Sequence, residues 1–185
     1  ELAYEVNVES DNGMYMWEKM MEIGKEFGNQ PYGTEALSTL RIEMGHVAAP
    51  ELDGRTIPRD VSLDGLVSKK KDFIGKNSLK REAFNVEDRQ KIIGLVPTDR
   101  KSSIPEGSHI VEDKNGKLPN PKLGHVSSSC WSVENNNPFS LAIMKDGKNM
   151  LGKTFFAVSP LKEKVIEVEV VSSHYVDPEG KRVRS

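Results

Sequence analysis

The hydrophobic pattern changes period once along this chain. Residues 4–8 alternate, with Tyr4, Val6 and Val8 on one side of an extended segment and Ala3, Glu5 and Asn7 on the other, so an opening strand is expected. That strand has no methionine, lead-in or cap before it, and the expectation is a piece of a longer chain. After the turn signal Asp11-Asn12-Gly13, apolar residues recur at helical spacing through Met16 or Trp17, Met20, Met21, Ile23 and Phe27. This predicts an amphipathic helix over residues 14–28, capped by Asp11 or Asn12, ending near Gly24 or Gly28, with its methionines in the core. A second helix is predicted over 34–44, between Pro31 and Gly45, with Ala36, Leu37, Leu40 and Met44 on its buried side. Residues 45–71 read as a long irregular connection of the kind that wraps an active face. Beyond it Phe73 and Ile74 are expected to be buried.

After Asp88 the pattern becomes strand-like. Short strands are predicted over 92–96, 108–111, 124–129, 139–144, 154–158 and 164–171, separated by turn signals such as Pro105-Glu106-Gly107 and Asp146-Gly147-Lys148. Six short antiparallel strands close into a small barrel or a sandwich. The expected fold class is therefore α+β: an α/β region over residues 1–89, then a small all-β domain over 90–185.

Composition narrows the function more by exclusion than by pointing. With 26 Lys and Arg against 28 Asp and Glu, the formal net charge of -2 supplies no global field for polyanions, which disfavours nucleic acid as a partner. The run Lys69-Lys70-Lys71 lacks interleaved aromatics and a glycine-rich phosphate loop, so it reads as a solvated basic patch or as a docking surface for an anionic cofactor tail or a partner subunit. No apolar run approaches the roughly 20 residues that cross a bilayer. A single cysteine, Cys130, leaves no internal disulfide framework and suits a reducing, cytoplasmic setting.

The candidate chemistry is sparse. His46, His109, His125 and His174 are scattered outside any metal-ligand spacing, so no metal site is expected. Cys130 reads as a buried small side chain, and Ser127, Ser128 and Ser129 lack the flanking glycines of a nucleophile elbow. Asp53, Asp60 and Asp64 fall in the long connection and could line a channel, with no paired spacing. Arg41 sits at the edge of the second helix's apolar stripe, where it could reach a cleft or pair with Glu43 or a strand end. Glu5 is a surface acid if its face meets solvent. If that face lines a cleft, its carboxylate can accept two parallel hydrogen bonds from an amidine-like edge such as a pterin's. Trp17, Phe84 and Trp131 are candidates for an interface, with core burial as the alternative.

Six segments, in order, resemble one family. They are Leu2-Ala3-Tyr4-Glu5, residues 32–45 from Tyr32-Gly33-Thr34-Glu35 to Met44-Gly45, Glu51-Leu52-Asp53-Gly54-Arg55-Thr56-Ile57-Pro58, Val67-Ser68-Lys69-Lys70-Lys71-Asp72-Phe73-Ile74-Gly75, Gly124-His125-Val126-Ser127-Ser128, and Tyr175-Val176-Asp177-Pro178-Glu179-Gly180. Over nearly the whole chain they are similar to the later half of the aminomethyltransferase family, the glycine-cleavage T-protein fold. The Lys-Lys-Lys-Asp-Phe-Ile-Gly and Asp-Pro-Glu-Gly versions look most like the branch found in alpha subunits of heterotetrameric sarcosine oxidases.

The resemblance implies a partial folate-binding domain followed by a small antiparallel β-barrel. It implies that Glu5, after Tyr4, grips the pterin ring of tetrahydrofolate, with Arg41 supporting the site or the folate tail. The arginine with which T-proteins help to bind folate aligns with Leu37 here, a departure shown by the amine-oxidising relatives. In that branch a flavin-bearing beta subunit oxidises sarcosine. The resulting imine reacts with tetrahydrofolate to give 5,10-methylenetetrahydrofolate and glycine. FAD, FMN, NAD and the small subunits belong elsewhere in the complex, and the catalytic aspartate is expected before residue 1. A glycine-cleavage aminomethyltransferase, or a non-catalytic folate-binding or assembly module of the same fold, remains the alternative.

Overall fold

A computed structural model describes residues 3–115 and 120–184. The chain separates into two compact units, Glu1–Ser38 with Glu179–Ser185, and Thr39–Pro178.

In the first unit, residues 3–9 run without ladder partners, so the expected opening strand is absent among the described residues, with Glu1 and Leu2 outside them. An extended segment needs a neighbouring strand to satisfy its backbone groups, and the unit offers none. A 3-10 turn, Ser10–Asn12, leads into α1 (Gly13–Gly24), which tightens into a 3-10 turn over Lys25–Phe27 and ends at Gly28 in the left-handed region, φ 70°. The expected helix is therefore present, but the expected caps are not: Asp11 lies inside the preceding 3-10 turn and Asn12 makes no side-chain capping bond. Its expected burial is corrected as well. No residue of α1 is buried; Met16 and Met21 are half-buried, while Met14, Trp17, Met20 and Ile23 are exposed and Phe27 is 79% exposed. The unit is too small to enclose the apolar stripe of its own helix. A four-residue helix, α3 (Lys181–Arg184), closes the unit.

The second helix, α2 (Thr34–Glu43), begins in the first unit and ends in the second. Its buried residues are Ile42 and Glu43 in the last turn, whereas Leu37 and Leu40 are exposed and Met44 is half-buried. The predicted buried side is thus corrected: only the C-terminal turn meets a hydrophobic layer. That end is a Schellman turn, with His46 N donating to the Arg41 carbonyl (2.8 Å) and Gly45 N to that of Ile42 (3.0 Å). Gly45 has φ 71°, and a Cβ there would meet the Ser173 carbonyl oxygen at 2.5 Å, so glycine is required where the chain reverses.

All six predicted strands form: β1 (Gln90–Pro97), β2 (His109–Val111), β3 (Gly124–Ser132), β4 (Asn137–Lys145), β5 (Thr154–Ser159) and β6 (Lys164–Val171). They close antiparallel in the order β1-β4-β3-β2-β5-β6, a barrel rather than a sandwich. Side chains alternate in and out. Ile93, Leu95, Val126, Ala142, Met144, Phe155, Ala157, Ile166, Val168 and Val170 fill the interior. β1 and β4 are apolar on their outer face too, because a second layer covers them. There Ile42 and Val61, with Val47 and Tyr175, pack on Ile92, Val96, Phe139, Leu141 and Ile143, and the Phe139 and Tyr175 rings stack at 4.3 Å. Each fully buried side chain of this kind contributes about 1.5–3 kcal/mol. The irregular connection over 45–89 supplies part of that cover, with 3-10 turns at Ala49–Glu51, Pro58–Val61 and Asp64–Leu66. Phe73 and Ile74, expected to be buried, are exposed, Ile74 completely, where residues 74–77 form a surface turn.

Candidate functional site

Tyr4 and Glu5 lie in the unpaired segment of the first unit. Tyr4 is 84% exposed and Glu5 is exposed, and among the described residues the Glu5 carboxylate makes no hydrogen bond or ion pair. Both of its oxygens are available as acceptors.

Arg41 is placed quite differently. Its Nη1 donates to Glu51 Oε2 at 2.7 Å and its Nη2 to Ser128 Oγ at 2.7 Å, while the same serine hydroxyl donates to Glu51 Oε1 at 2.6 Å. The partner is Glu51, and neither Glu43 nor a strand end. The Glu51 side chain is completely buried and that of Arg41 nearly so. Burial pushes the Glu51 carboxyl up. Hydrogen bonds from Ser128 and from the Ala48 N–H (2.8 Å), with the Arg41 charge, more than offset that and hold it below its ordinary value. The strand geometry explains Ser128. β3 carries a bulge between Val126, which pairs with Ala142 in the interior, and Ser128, which pairs with Leu141 of the outer layer. One extra residue reverses the parity and turns the hydroxyl outward to the arginine.

A second buried pair repeats the device. Asp60, fully buried, accepts from Arg89 Nε (2.7 Å) and Nη2 (2.8 Å) in a bidentate fork and from the Ile57 N–H at 3.1 Å. Arg89 also donates to the Arg55 carbonyl at 2.7 Å and lies over the Phe84 ring at 5.1 Å. Beside it Lys91, buried, donates to the Arg59 carbonyl at 2.9 Å, and burial followed by the Arg59 charge lowers its pKa. In both turns a proline stands in the first two positions of a 3-10 segment, and the acid at its third position reaches back to the N–H three residues earlier. These two locks fasten the irregular connection to the barrel. Asp60 is therefore closed off from any channel.

The remaining candidates are scattered by the fold. Asp53, solvent-facing, is drawn to about 2 by hydrogen bonds from Arg55, and Asp64 is exposed. Cys130 is half-buried in the outer layer, and burial pushes its thiol up to about 12, which suits packing and not nucleophilic attack. His109 and His125 become cross-strand neighbours, and no three metal-ligating side chains converge among the described residues. Lys69, Lys70 and Lys71 are exposed, as are Trp17 and Trp131. Among the described residues no helix is long and apolar enough to cross a membrane.

Glu51, Ser128, Asp60 and Arg89 were missed as partners because each pair is remote in sequence. The repeated Pro-x-Asp or Pro-Glu turn signature was the available cue.

Known protein families account for both parts of this architecture. The GCVT N-terminal domain profile matches residues 1–71, and that of the glycine cleavage T-protein C-terminal barrel domain matches residues 90–177. The chain belongs to the glycine-cleavage T-protein family. Within it, the chain is 35% identical over 184 residues to the sarcosine oxidase subunit alpha of Rhizobium meliloti (strain 1021), covering 99% of this chain and 19% of that subunit. It is 28% identical over 180 residues to an aminomethyltransferase of Thermoanaerobacter pseudethanolicus (strain ATCC 33223 / 39E), covering 95% of this chain and 47% of that protein. The crystal structure of glycine cleavage system aminomethyltransferase T from Bartonella henselae shares the fold, with a TM-score of 0.74 at 20% identity over 91% of this chain and 45% of that one. The T-protein resemblance read from the motifs and the α+β architecture with a terminal barrel thus both hold. The chain spans less than half the length of each of these relatives.

Proposed function

We propose that this chain is the tetrahydrofolate-binding part of a one-carbon transfer enzyme of aminomethyltransferase type. The observation that carries the reading is the ordered match of both T-protein domains; the assignment of Tyr4-Glu5 to the pterin rests on the motif resemblance. The residues suit that ligand. A carboxylate without a protein partner among the described residues can accept the N3–H and 2-amino hydrogens as two parallel charge-assisted bonds. Glu5 orients the ring. The Arg41 guanidinium is already engaged by Glu51 and Ser128 and so fixes the end of α2. Tetrahydrofolate supplies the nucleophilic amines. The acid that manages their proton is the family aspartate expected outside this chain.

A finer reading places the module in a cytoplasmic sarcosine oxidase assembly, favoured by the 35% identity over 99% of the chain. A flavin-bearing subunit would then deliver an imine, and the products would be glycine and 5,10-methylenetetrahydrofolate. Flavins and NAD would bind elsewhere in that assembly. The glycine-cleavage reading instead takes an aminomethyl group from a lipoyl carrier. Titration of tetrahydrofolate into the full-length protein tests the shared claim: Glu5→Gln should weaken binding by on the order of tenfold or more, as expected for a lost bidentate charged contact. Unchanged affinity contradicts the folate site. Turnover of sarcosine separates the two finer readings, because only the oxidase assembly consumes it, and Glu5→Gln should leave that oxidation intact.

A further inference from the structure

Where β1 and β3 begin and β4 ends, the barrel carries a cavity of about 430 Å³ that none of the roles above uses. Its volume lies within the range of small-molecule sites. The floor is apolar, made by Val86, Leu123 and Ile143, and Gly124 lets β3 approach so closely that a Cβ there would sit 2.2 Å from the Ile143 carbonyl oxygen. The wall is cationic: Arg55, Arg89, Lys122 and Lys145 face one carboxylate, Asp88. Arg89 is held from behind by buried Asp60, and Lys145 pairs with Asp88 at 2.8 Å. The Lys145–Asp88 pair and the Arg55–Asp53 pair are solvent-exposed and so exchange partners easily. Lys122 has no ion-pair partner among the described residues. Half-buried His125 completes the wall on β3, opposite His109 of β2.

We propose that this cavity binds a small organic polyanion, one with at least two carboxylate or phosphate groups on an apolar or planar body, held by Lys122, Arg55 and His125. An apolar floor under a cationic wall concentrates the field where the anion would sit. The groups acting on His125 give the site a pH signature. Burial lowers its pKa, Lys122, Arg55 and His109 lower it further, and Asp53 alone opposes them. A bound anion reverses that balance, so the ring takes up a proton on binding and affinity rises as pH falls through the His125 titration. This site is independent of Glu5 and of the folate reading.

Isothermal titration of the full-length protein with ADP, pyrophosphate and citrate, in buffers of different ionisation enthalpy, tests the inference. At least one probe should bind with proton uptake. Lys122→Glu and His125→Gln should each weaken binding by on the order of fivefold or more, and the latter should abolish the uptake. ADP or pyrophosphate binding without citrate identifies a phosphate ligand, and the converse a carboxylate ligand. Absence of binding by all three at millimolar concentration, or affinity unaltered in Lys122→Glu, overturns the inference. Lys122 is exposed, so its variant keeps the test decisive even where His125→Gln perturbs folding.

Discussion

The barrel and the first unit treat similar side chains in opposite ways. Isoleucines and leucines of β1 and β4 are almost wholly enclosed, and Phe139 is completely so, whereas α1 leaves Trp17, Ile23 and Phe27 in solvent. A closed sheet creates an inside by its own geometry, and the 3-10 turns of residues 45–89 add a second layer over two of its strands. A single amphipathic helix has only a side. Stability of the chain should therefore be concentrated in Thr39–Pro178, and the apolar stripe of α1 should be nearly silent in folding measurements.

Substitutions can break that contrast, and the largest effect is expected at Phe139. Phe139→Ala removes a fully buried ring together with its stack on Tyr175 and should cost about 3–5 kcal/mol in chemical denaturation. A loss near that of an exposed site would mean the outer layer is not a core. Next comes Asp60→Ala, which leaves the Arg89 guanidinium buried without its fork; about 3 kcal/mol is expected, read as a lowered urea midpoint at unchanged slope.

Glu51→Gln should cost less, about 1–3 kcal/mol, because the amide retains part of the hydrogen bonding to Ala48 and Ser128. It also carries a pH signature. The folded pKa of Glu51 lies below its ordinary 4.5, so its contribution is fully present above that value and is lost as pH falls through the lower folded one. The wild-type midpoint should therefore approach that of the Gln variant in acid, and parallel pH profiles would contradict the assignment. Smallest of all, Phe27→Ser and Ile23→Ser should each change stability by under about 0.5 kcal/mol. A larger loss would show that α1 is buried in the state that unfolds.

How much of this was legible in the sequence follows the same division. β6 reads plainly, since Ile166, Val168 and Val170 point inward and alternate with Glu167 and Glu169, and the period of two is visible. β1 and β4 read as strands from β-branched runs and flanking turns, but their unbroken apolar stretches gave no hint of what covers the outer face. Periodicity placed α1 correctly and its burial wrongly, because a pattern reports which side chains share a side and not whether anything lies against it. Glu51 and Asp60 looked like loop acids. Their partners, Ser128 and Arg89, stand 77 and 29 residues away, and no local rule reaches that far. The β3 bulge that turns Ser128 outward is likewise a property of register, which sequence alone leaves open.

The central claim is that the carboxylate of Glu5 holds the pterin ring of a reduced folate. A crystal structure of the full-length protein soaked with tetrahydrofolate tests it most directly. The account predicts the pterin N3 and 2-amino nitrogens each about 2.7–2.9 Å from a Glu5 oxygen. Well-ordered folate bound elsewhere, with Glu5 still facing water, would contradict it.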